Sequence, residues 1–366
     1  MSRKIKLLIT FIIFVSPKVF SQIELYKEPE SDSSTHKKIT LKGFIDTYFG
    51  INSEGKGNIP FMVNSNRSNQ VSINLALLEF GFSSDQFRAK ITPAFGSYMN
   101  ENYSNVDGTL RYFYEANAGI KLLKKKELWL DAGVFSSPIS NENPLSKDHI
   151  CYTRALGSEF VPYYLTGGRL SYGLNSKTTL YASYFNGWQE INNSNKAPAF
   201  ALQVDYKPNA KNLITVDIYA GNERDNNPNY RNRYFFDAYW IYNMDGKFSV
   251  TSCANFGIQE TVNQTSNNSL WGQTNVSLRY SFAKKWSANF RSEYFYDADE
   301  VVLFNQLKTG NESLYSTTLG LCYKASANAF LRFEGRHYTA NRSIFSINNE
   351  SRSQLFWGVV SLSAWF

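Results

Sequence analysis

The sequence predicts an all-β protein: a transmembrane antiparallel β-barrel of about 16 strands, with 14 or 18 as alternative counts. Three observations predict it. Apolar and polar residues alternate with a period of two through most of the chain. Short and long breaks between the alternating runs themselves alternate. The chain ends on a membrane-suited run, Phe356, Gly358, Val360, Leu362, Ala364 and Phe366. A closed barrel has a reason to end on a strand, because its last strand must pair with its first and leave no open edge in lipid.

The N-terminal stretch reads as a signal peptide, residues 1–21. Arg3, Lys4 and Lys6 precede the apolar run Leu7 to Val15, and Ser21 suits the position before a cut, which predicts a mature start at Gln22. That run is too short to span a bilayer as a helix, and no later run is long enough. Removing residues 1–21 takes away four positive charges and no negative ones, so the net charge falls from +7 to +3. The basicity is largely an export feature, and no nucleic acid is expected as a partner. Residues 22–38, with Glu28, Pro29, Glu30 and Asp32, read as a disordered leader. The barrel domain is then 39–366.

In the first strand Leu41, Gly43, Ile45, Thr47 and Phe49 alternate with Lys42, Asp46 and Tyr48. In the second Val71, Ile73, Leu75 and Leu77 form the apolar face. In the third Phe87, Ala89, Ile91, Pro93 and Phe95 alternate with Arg88, Lys90 and Thr92. Pro93 withholds a ladder hydrogen bond, which predicts a bulge. Leu128, Leu130, Ala132 and Val134 mark the fifth strand.

Short breaks fall near 83–85, 123–126, 175–177, 208–211, 243–245, 283–285 and 325–328. Long ones fall near 51–69, 98–110, 137–162, 189–197, 222–232, 260–269, 298–313 and 338–351. Seven short and eight long breaks separate sixteen strands. Short turns at one rim and long loops at the other are the outer-membrane pattern, and they put both termini on the periplasmic side. Aromatic residues collect at strand ends, as interface girdles do: Tyr48 and Phe49, Trp188, Trp240 and Tyr242, Trp286, Tyr294 and Tyr296, Trp365 and Phe366.

With the apolar face against outer-membrane lipid, parity turns Arg88, Lys90, Arg111, Lys121, Arg169, Arg279, Arg291, Arg332 and Arg336 inward. Asp46, Glu115, Asp131, Asp205, Asp217, Glu293 and Glu334 join them. A charge on the lipid face at the midplane costs about 2–4 kcal/mol, whereas a lumenal charge stays hydrated. A barrel this wide cannot be filled by its own wall side chains, so an aqueous channel for small hydrophilic solutes or ions is the default. The longest break, 137–162, is 26 residues, more than a hairpin needs. Folded inward, it would narrow the lumen and set Glu142, Asp148 and Glu159 against the wall arginines. That transverse field would sort solutes by size and charge. The alternative is a loop that caps the outer rim with solvated charges.

Short words in this region also carry a likeness. Leu128–Phe135 (LWLDAGVF), Cys151–Leu156 (CYTRAL), Pro162–Tyr164 (PYY) and Thr166–Tyr172 (TGGRLSY) are followed by Asn186–Gln189 (NGWQ), Asn195 with Lys196, Tyr206–Pro208 (YKP) and Gly221 with Asn222. The chain resembles the OmpL-like β-barrel porin-2 family of Bacteroidetes-type bacteria over most of 40–366. The resemblance implies an outer-membrane porin, points to Arg154, Tyr163, Tyr164 and Arg169 for loop docking or pore lining, and implies that the barrel assembly machinery reads Phe366.

Two other classes compete. An outer-membrane enzyme needs a Ser/His or Asp/His pair, and Ser146, Asp148 and His149 are neighbours. The sequence has no Gly-x-Ser-x-Gly elbow or HExxH motif, so it assigns no catalytic residue. Cys151, Cys253 and Cys322 are few and far apart, and His36, His149 and His337 are scattered, so no disulfide framework, metal or cofactor is expected. The second competitor is a filled barrel serving as an adhesin or structural protein. No subunit face stands apart from the lipid face, so a lone barrel and a homo-oligomer both stay open.

Overall fold

The computed structural model describes residues 22–27, 37–54, 58–59, 61–104, 106, 108–193, 196–224, 227–262, 268–303, 312–347 and 350–366. The expected signal peptide lies outside them. Sixteen barrel strands run β1 (Lys38–Asn52), β2 (Val71–Ser83), β3 (Phe87–Phe95) and β4 (Phe113–Lys121). They continue as β5 (Leu128–Ser136), β6 (Tyr164–Gly173), β7 (Thr178–Phe185), β8 (Ala199–Tyr206), β9 (Asn212–Asn222) and β10 (Tyr230–Tyr242). The last six are β11 (Phe248–Thr261), β12 (Asn268–Ala283), β13 (Trp286–Asp297), β14 (Glu312–Ser326), β15 (Ala329–Ala340) and β16 (Gln354–Trp365). Each pairs antiparallel with its neighbour in sequence, and β16 pairs with β1 from Trp357 opposite Asn52 to Trp365 opposite Phe44.

Closure continues past the last strand. Phe366 donates its N–H to the Gly43 carbonyl at 3.0 Å and accepts the Gly43 N–H at 3.1 Å. In lipid such pairs are the only partners a backbone group can find. No described helix is long and apolar enough to cross a membrane; the chain crosses with strands, as an outer-membrane barrel.

Below Phe44, β1 runs on without β16 beside it. Ile23–Lys27 form a short strand on that free edge, antiparallel to Lys38–Leu41. This corrects the expected disordered leader for residues 23–27, and the reason is the row of unpaired β1 groups that the segment satisfies. Residues 28–36 lie outside the described residues.

Alternation sorts the wall. On β12 Leu270, Val276, Tyr280 and Phe282 are exposed toward lipid, while Gln273, Asn275 and Ser277 are buried in the lumen. On β2 the expected parity fails halfway. Val71 and Ile73 face outward, but Leu75 and Leu77 face inward, because a bulge at Asn74 inserts one residue against Asp46 and Thr47. The bulge turns the Asn74 amide into the barrel, where it donates to Asp46 and to Asn64, each at 3.0 Å, and accepts the Ser65 N–H. Beside it Gly96 has φ +125°, and a Cβ there would lie 2.4 Å from the Asn74 carbonyl oxygen. Only glycine lets the chain turn inward at that point. The turn leads into helix α1 (Ser97–Asn102), whose Tyr98 and Met99 pack with Leu75, Leu77 and Tyr114. The expected bulge at Pro93 is present as a register shift between β3 and β4.

Two aromatic residues expected in the girdle lie inside instead. Tyr48 and Trp188 are buried in the lumen, and Trp188 stands edge-on to Tyr219 and Phe235. Trp240, Trp286 and Phe366 face outward.

A chain lacking residues 364–366 loses the Phe366–Gly43 pair and the end of the β16–β1 ladder. It should fail to close, and the unheated protein should migrate on a gel like the unfolded chain; compact, heat-modifiable migration would contradict this account of closure.

Candidate functional site: the lumen and its inward loop

Residues 137–162 fold into the barrel. The loop has little backbone pairing of its own, so its buried N–H groups need other acceptors. The wall supplies them. Glu334 on β15 accepts from the N–H groups of Tyr152 (2.5 Å) and Thr153 (3.2 Å) and from the Thr153 hydroxyl. Glu293 on β13 accepts the Leu156 N–H at 2.6 Å, at the start of helix α2 (Leu156–Glu159). Asp237 on β10 accepts the Ser140 N–H at 2.8 Å. The Asn141 amide donates to Asn275 on β12 at 3.0 Å and to Thr251 on β11 at 3.2 Å.

Wall arginines hold the loop's carbonyl groups. Arg291 donates to the Thr153 carbonyl at 2.5 Å, Arg336 to the Arg154 carbonyl at 2.8 Å, and Arg332 to the Ser146 carbonyl at 2.6 Å. Arg291 also lies 3.4 Å from Glu142 and 3.3 Å from Glu293, and Arg336 lies 2.5 Å from Glu293. Arg154 donates to the Glu142 carbonyl at 2.7 Å and stacks over the Tyr163 ring. Three buried arginines (Arg154, Arg291, Arg336) thus lie among three buried glutamates (Glu142, Glu293, Glu334), while a fourth, Arg332, has no hydrogen-bonded carboxylate. The balance matters, because each buried ion left unpaired costs several kcal/mol.

The sequence candidates divide accordingly. Arg154, Arg291, Arg332, Arg336 and Glu142 hold the loop in place. Glu159 meets no wall arginine; it accepts the Val63 N–H at 2.8 Å and the Tyr163 hydroxyl at 2.5 Å, joining this loop to residues 61–67. Asp148 is exposed and pairs with Lys147 at 2.7 Å and Asn143 at 3.0 Å. Of the three loop acids expected to oppose the wall, Glu142 alone does so among the described residues. Arg111 sits in the 3-10 turn Gly108–Tyr112 ahead of β4 rather than on a strand wall, because β4 begins at Phe113.

Arg88, Lys90 and Arg169 line a cavity of about 600 Å³ in the short-turn half of the barrel, with Trp129, Asp131 and Tyr181. Arg88 is paired bidentately with Asp131 and lies over the Trp129 ring. Lys90 lies 2.9 Å from Glu115. Arg169 is stacked 4.5 Å over Phe135 and 5.6 Å from Tyr181, and no described carboxylate is hydrogen-bonded to it. Arg279 lines a second cavity with Arg332.

The sequence reading missed the other inward segments. Phe61, Met62, Val301, Val302 and Leu303 join Tyr152, Leu156 and Val161 in one buried cluster against Phe295, Tyr338 and Trp357. Asp297 holds the third of these segments by accepting the N–H groups of Val301, Val302 and Leu303 at 2.8–3.0 Å. An apolar turn, Val301–Leu303, inside a long polar break was the available signal.

His149 donates its Nε2–H to the Asn143 carbonyl, and Ser146 is bonded to Ser363 at 3.1 Å, so His149 is not placed as a base for Ser146. No described cluster of His, Cys, Asp or Glu could hold a metal.

The model of the family described as "Putative beta-barrel porin-2, OmpL-like" matches residues 38–366. The chain belongs to this family. No curated protein matches the sequence. Among solved structures, the anion-selective porin from Comamonas acidovorans superposes with a TM-score of 0.59 at 9% identity, over 90% of this chain and 100% of that one. Salmonella typhi OmpF in complex with daunomycin gives 0.58 at 12% identity, over 94% and 100%. A loop-deletion mutant of Vibrio cholerae OmpT gives 0.58 at 12% identity, over 90% and 99%. At such identities these likenesses establish the shared barrel fold.

Two outcomes test the docking network. Arg291→Met leaves Glu142 and Glu293 short of a buried partner and should weaken loop docking by about 3–5 kcal/mol. Protease cleavage within 137–162, with heat-modifiable barrel migration retained, would register it. The second concerns pH. Burial first, and the charge of Arg154 next, push His149 down to about 3. A released loop takes up the proton near the ordinary value of about 6.5, so docking weakens as pH falls through that window. By pH 5 it should be about 2 kcal/mol weaker than at neutral pH. Hydrogen exchange at residues 149–156, corrected for intrinsic rates, should show this difference in the native protein and lose it in His149→Asn.

Proposed function

We propose that the protein is a channel for passive diffusion of small hydrophilic solutes or ions, narrowed by the inward loop 137–162 and sorted by wall charge. The observation that carries the reading is the charged cavity of about 600 Å³ in the short-turn half of the barrel. The loop is anchored to β10–β13, β15 and β16, which leaves the arc from β3 to β9 to face the remaining space. That arc is electrically divided. Arg88, Lys90 and Arg169 project from β3 and β6, while Asp205 and Asp217 project from β8 and β9. Asp205 is fixed there by Thr215 at 2.9 Å, Gln203 at 2.9 Å and Tyr181 at 3.3 Å. Opposed charges at close quarters discriminate between hydrated solutes without binding any one tightly.

A second reading has its own observation. The apolar cluster formed by Ile59, Phe61, Met62, Tyr152, Leu156, Val161 and Val301 to Leu303 packs inside the barrel on the long-loop side, as a non-conducting adhesin or structural barrel would require. Conductance separates the two. Purified, folded protein in a planar bilayer should give stepwise ion currents under the channel reading, and the closed-barrel reading expects none. Arg169→Gln should lower the anion-to-cation permeability ratio by about twofold or more, read as a shift in reversal potential under a salt gradient. An unchanged ratio would remove Arg169 from the conducting path.

A further inference from the structure

On the other flank of the loop lies a second cavity, of about 530 Å³, with no part in the reading above. His149 and Ile150 of the loop line it, together with walls from β12 to β15 and the short turns at 244–247 and 283–286. Its charge is one-sided. Arg279, Lys324 and Arg332 project from the strands, and Lys247, Lys284 and Lys285 sit on the turns, against the single acid Asp245.

The two arginines differ from Arg291 and Arg336 in having no hydrogen-bonded carboxylate. Arg332 is 3% exposed, donates one hydrogen bond to the Ser146 carbonyl, and has no protein acceptor for its buried Nε–H. Arg279 donates to the Ser249 hydroxyl at 2.8 Å, and its buried Nε–H is likewise without an acceptor. Both partners are neutral, and no described carboxylate is hydrogen-bonded to either guanidinium. Arg291 and Arg336 nearby are hydrogen-bonded to glutamates; here the acids within electrostatic reach, Asp46 for Arg332 and Asp245 for Arg279, make no hydrogen bond to either guanidinium, and the basic groups outnumber them. A buried guanidinium with free donors calls for an acceptor that is itself negative, and a tetrahedral oxyanion offers several oxygens to two forks at once.

We propose that this cavity binds a multiply charged oxyanion from the short-turn side, inorganic phosphate or a small phosphomonoester. Arg279 and Arg332 hold the anion. Lys324 and the turn lysines raise its local concentration at the mouth, and the space beyond one phosphate group admits a short ester tail.

Binding can be read by calorimetry on the folded full chain in detergent, with inorganic phosphate and glycerol phosphate titrated separately at constant ionic strength in chloride. Saturable heat with either probe supports the site. Tighter binding of glycerol phosphate identifies the ester as the ligand, and equal or weaker binding identifies phosphate itself. Arg279→Gln should weaken binding at least tenfold. The exposed variant Lys284→Gln should weaken it more at low salt than at high. The proposal is overturned if phosphate and its ester give no more heat than chloride, or if folded Arg279→Gln binds as well as the native protein. Binding in detergent needs no conduction, so a failure of the channel reading leaves this result standing.

Discussion

Every polar backbone group in the hydrocarbon layer must find a partner within the protein, and most of this architecture follows from that constraint. It forces β16 back onto β1 and makes the Phe366–Gly43 pair the last rung of the closing ladder. It also recruits Ile23–Lys27 to the stretch of β1 that β16 does not reach. Closure at sixteen strands in turn creates a lumen that wall side chains cannot fill. Segments entering from the long-loop rim occupy it, and each brings backbone groups that need partners of their own.

The wall meets that second demand with carboxylates and guanidinium groups rather than with backbone. Glu334, Glu293 and Asp237 stand in for sheet carbonyls, and Arg291, Arg332 and Arg336 stand in for sheet N–H groups. Charge-assisted hydrogen bonds suit the task, being stronger than neutral ones and tolerant of irregular loop geometry. Burial limits how many can be used, because each unpaired ion is costly. The local balance of three arginines and three glutamates obeys that limit. The Arg279–Arg332 pair has only neutral hydrogen-bond acceptors in the protein, and for that reason it reads as a place for an external anion.

How much the sequence disclosed depended on how local the cause was. Short turns and long loops were legible because Gly, Asn, Pro and Lys punctuate the period-two pattern directly. Lumenal parity held wherever a strand ran without interruption. It failed at Leu75 and Leu77, since one extra residue at Asn74 reverses every later side chain and leaves no mark in composition. Tyr48 and Trp188 were placed in the interface girdle by their position near strand ends, but whether an aromatic residue points to lipid or lumen depends on register. Parity put Arg291, Arg332 and Arg336 on one face, yet it could not say whether a loop carbonyl or a solute would meet them. The same holds for Glu159, whose partners Val63 and Tyr163 become neighbours only once two loops are inside the barrel.

The loop also depends on where the wall is thin. Gly157 at the head of α2 lies so close to Gln273 on β12 that a Cβ would fall 1.8 Å from its side chain. On the wall, Gly50 lies beneath the ring of Trp357 and Gly257 beneath that of Trp271, with Cβ positions 2.0 Å from ring atoms in both cases. Glycine at these positions lets two large rings lie flat along the barrel instead of standing across it. The loop therefore approaches the β10–β16 side closely enough for direct hydrogen bonds, and the larger charged cavity lies opposite, along β1 to β7. The off-axis position of the charged cavity is thus a packing consequence of small residues on one wall. The unlike charges on Arg88, Arg169 and Asp205 then act on whatever occupies the space that remains.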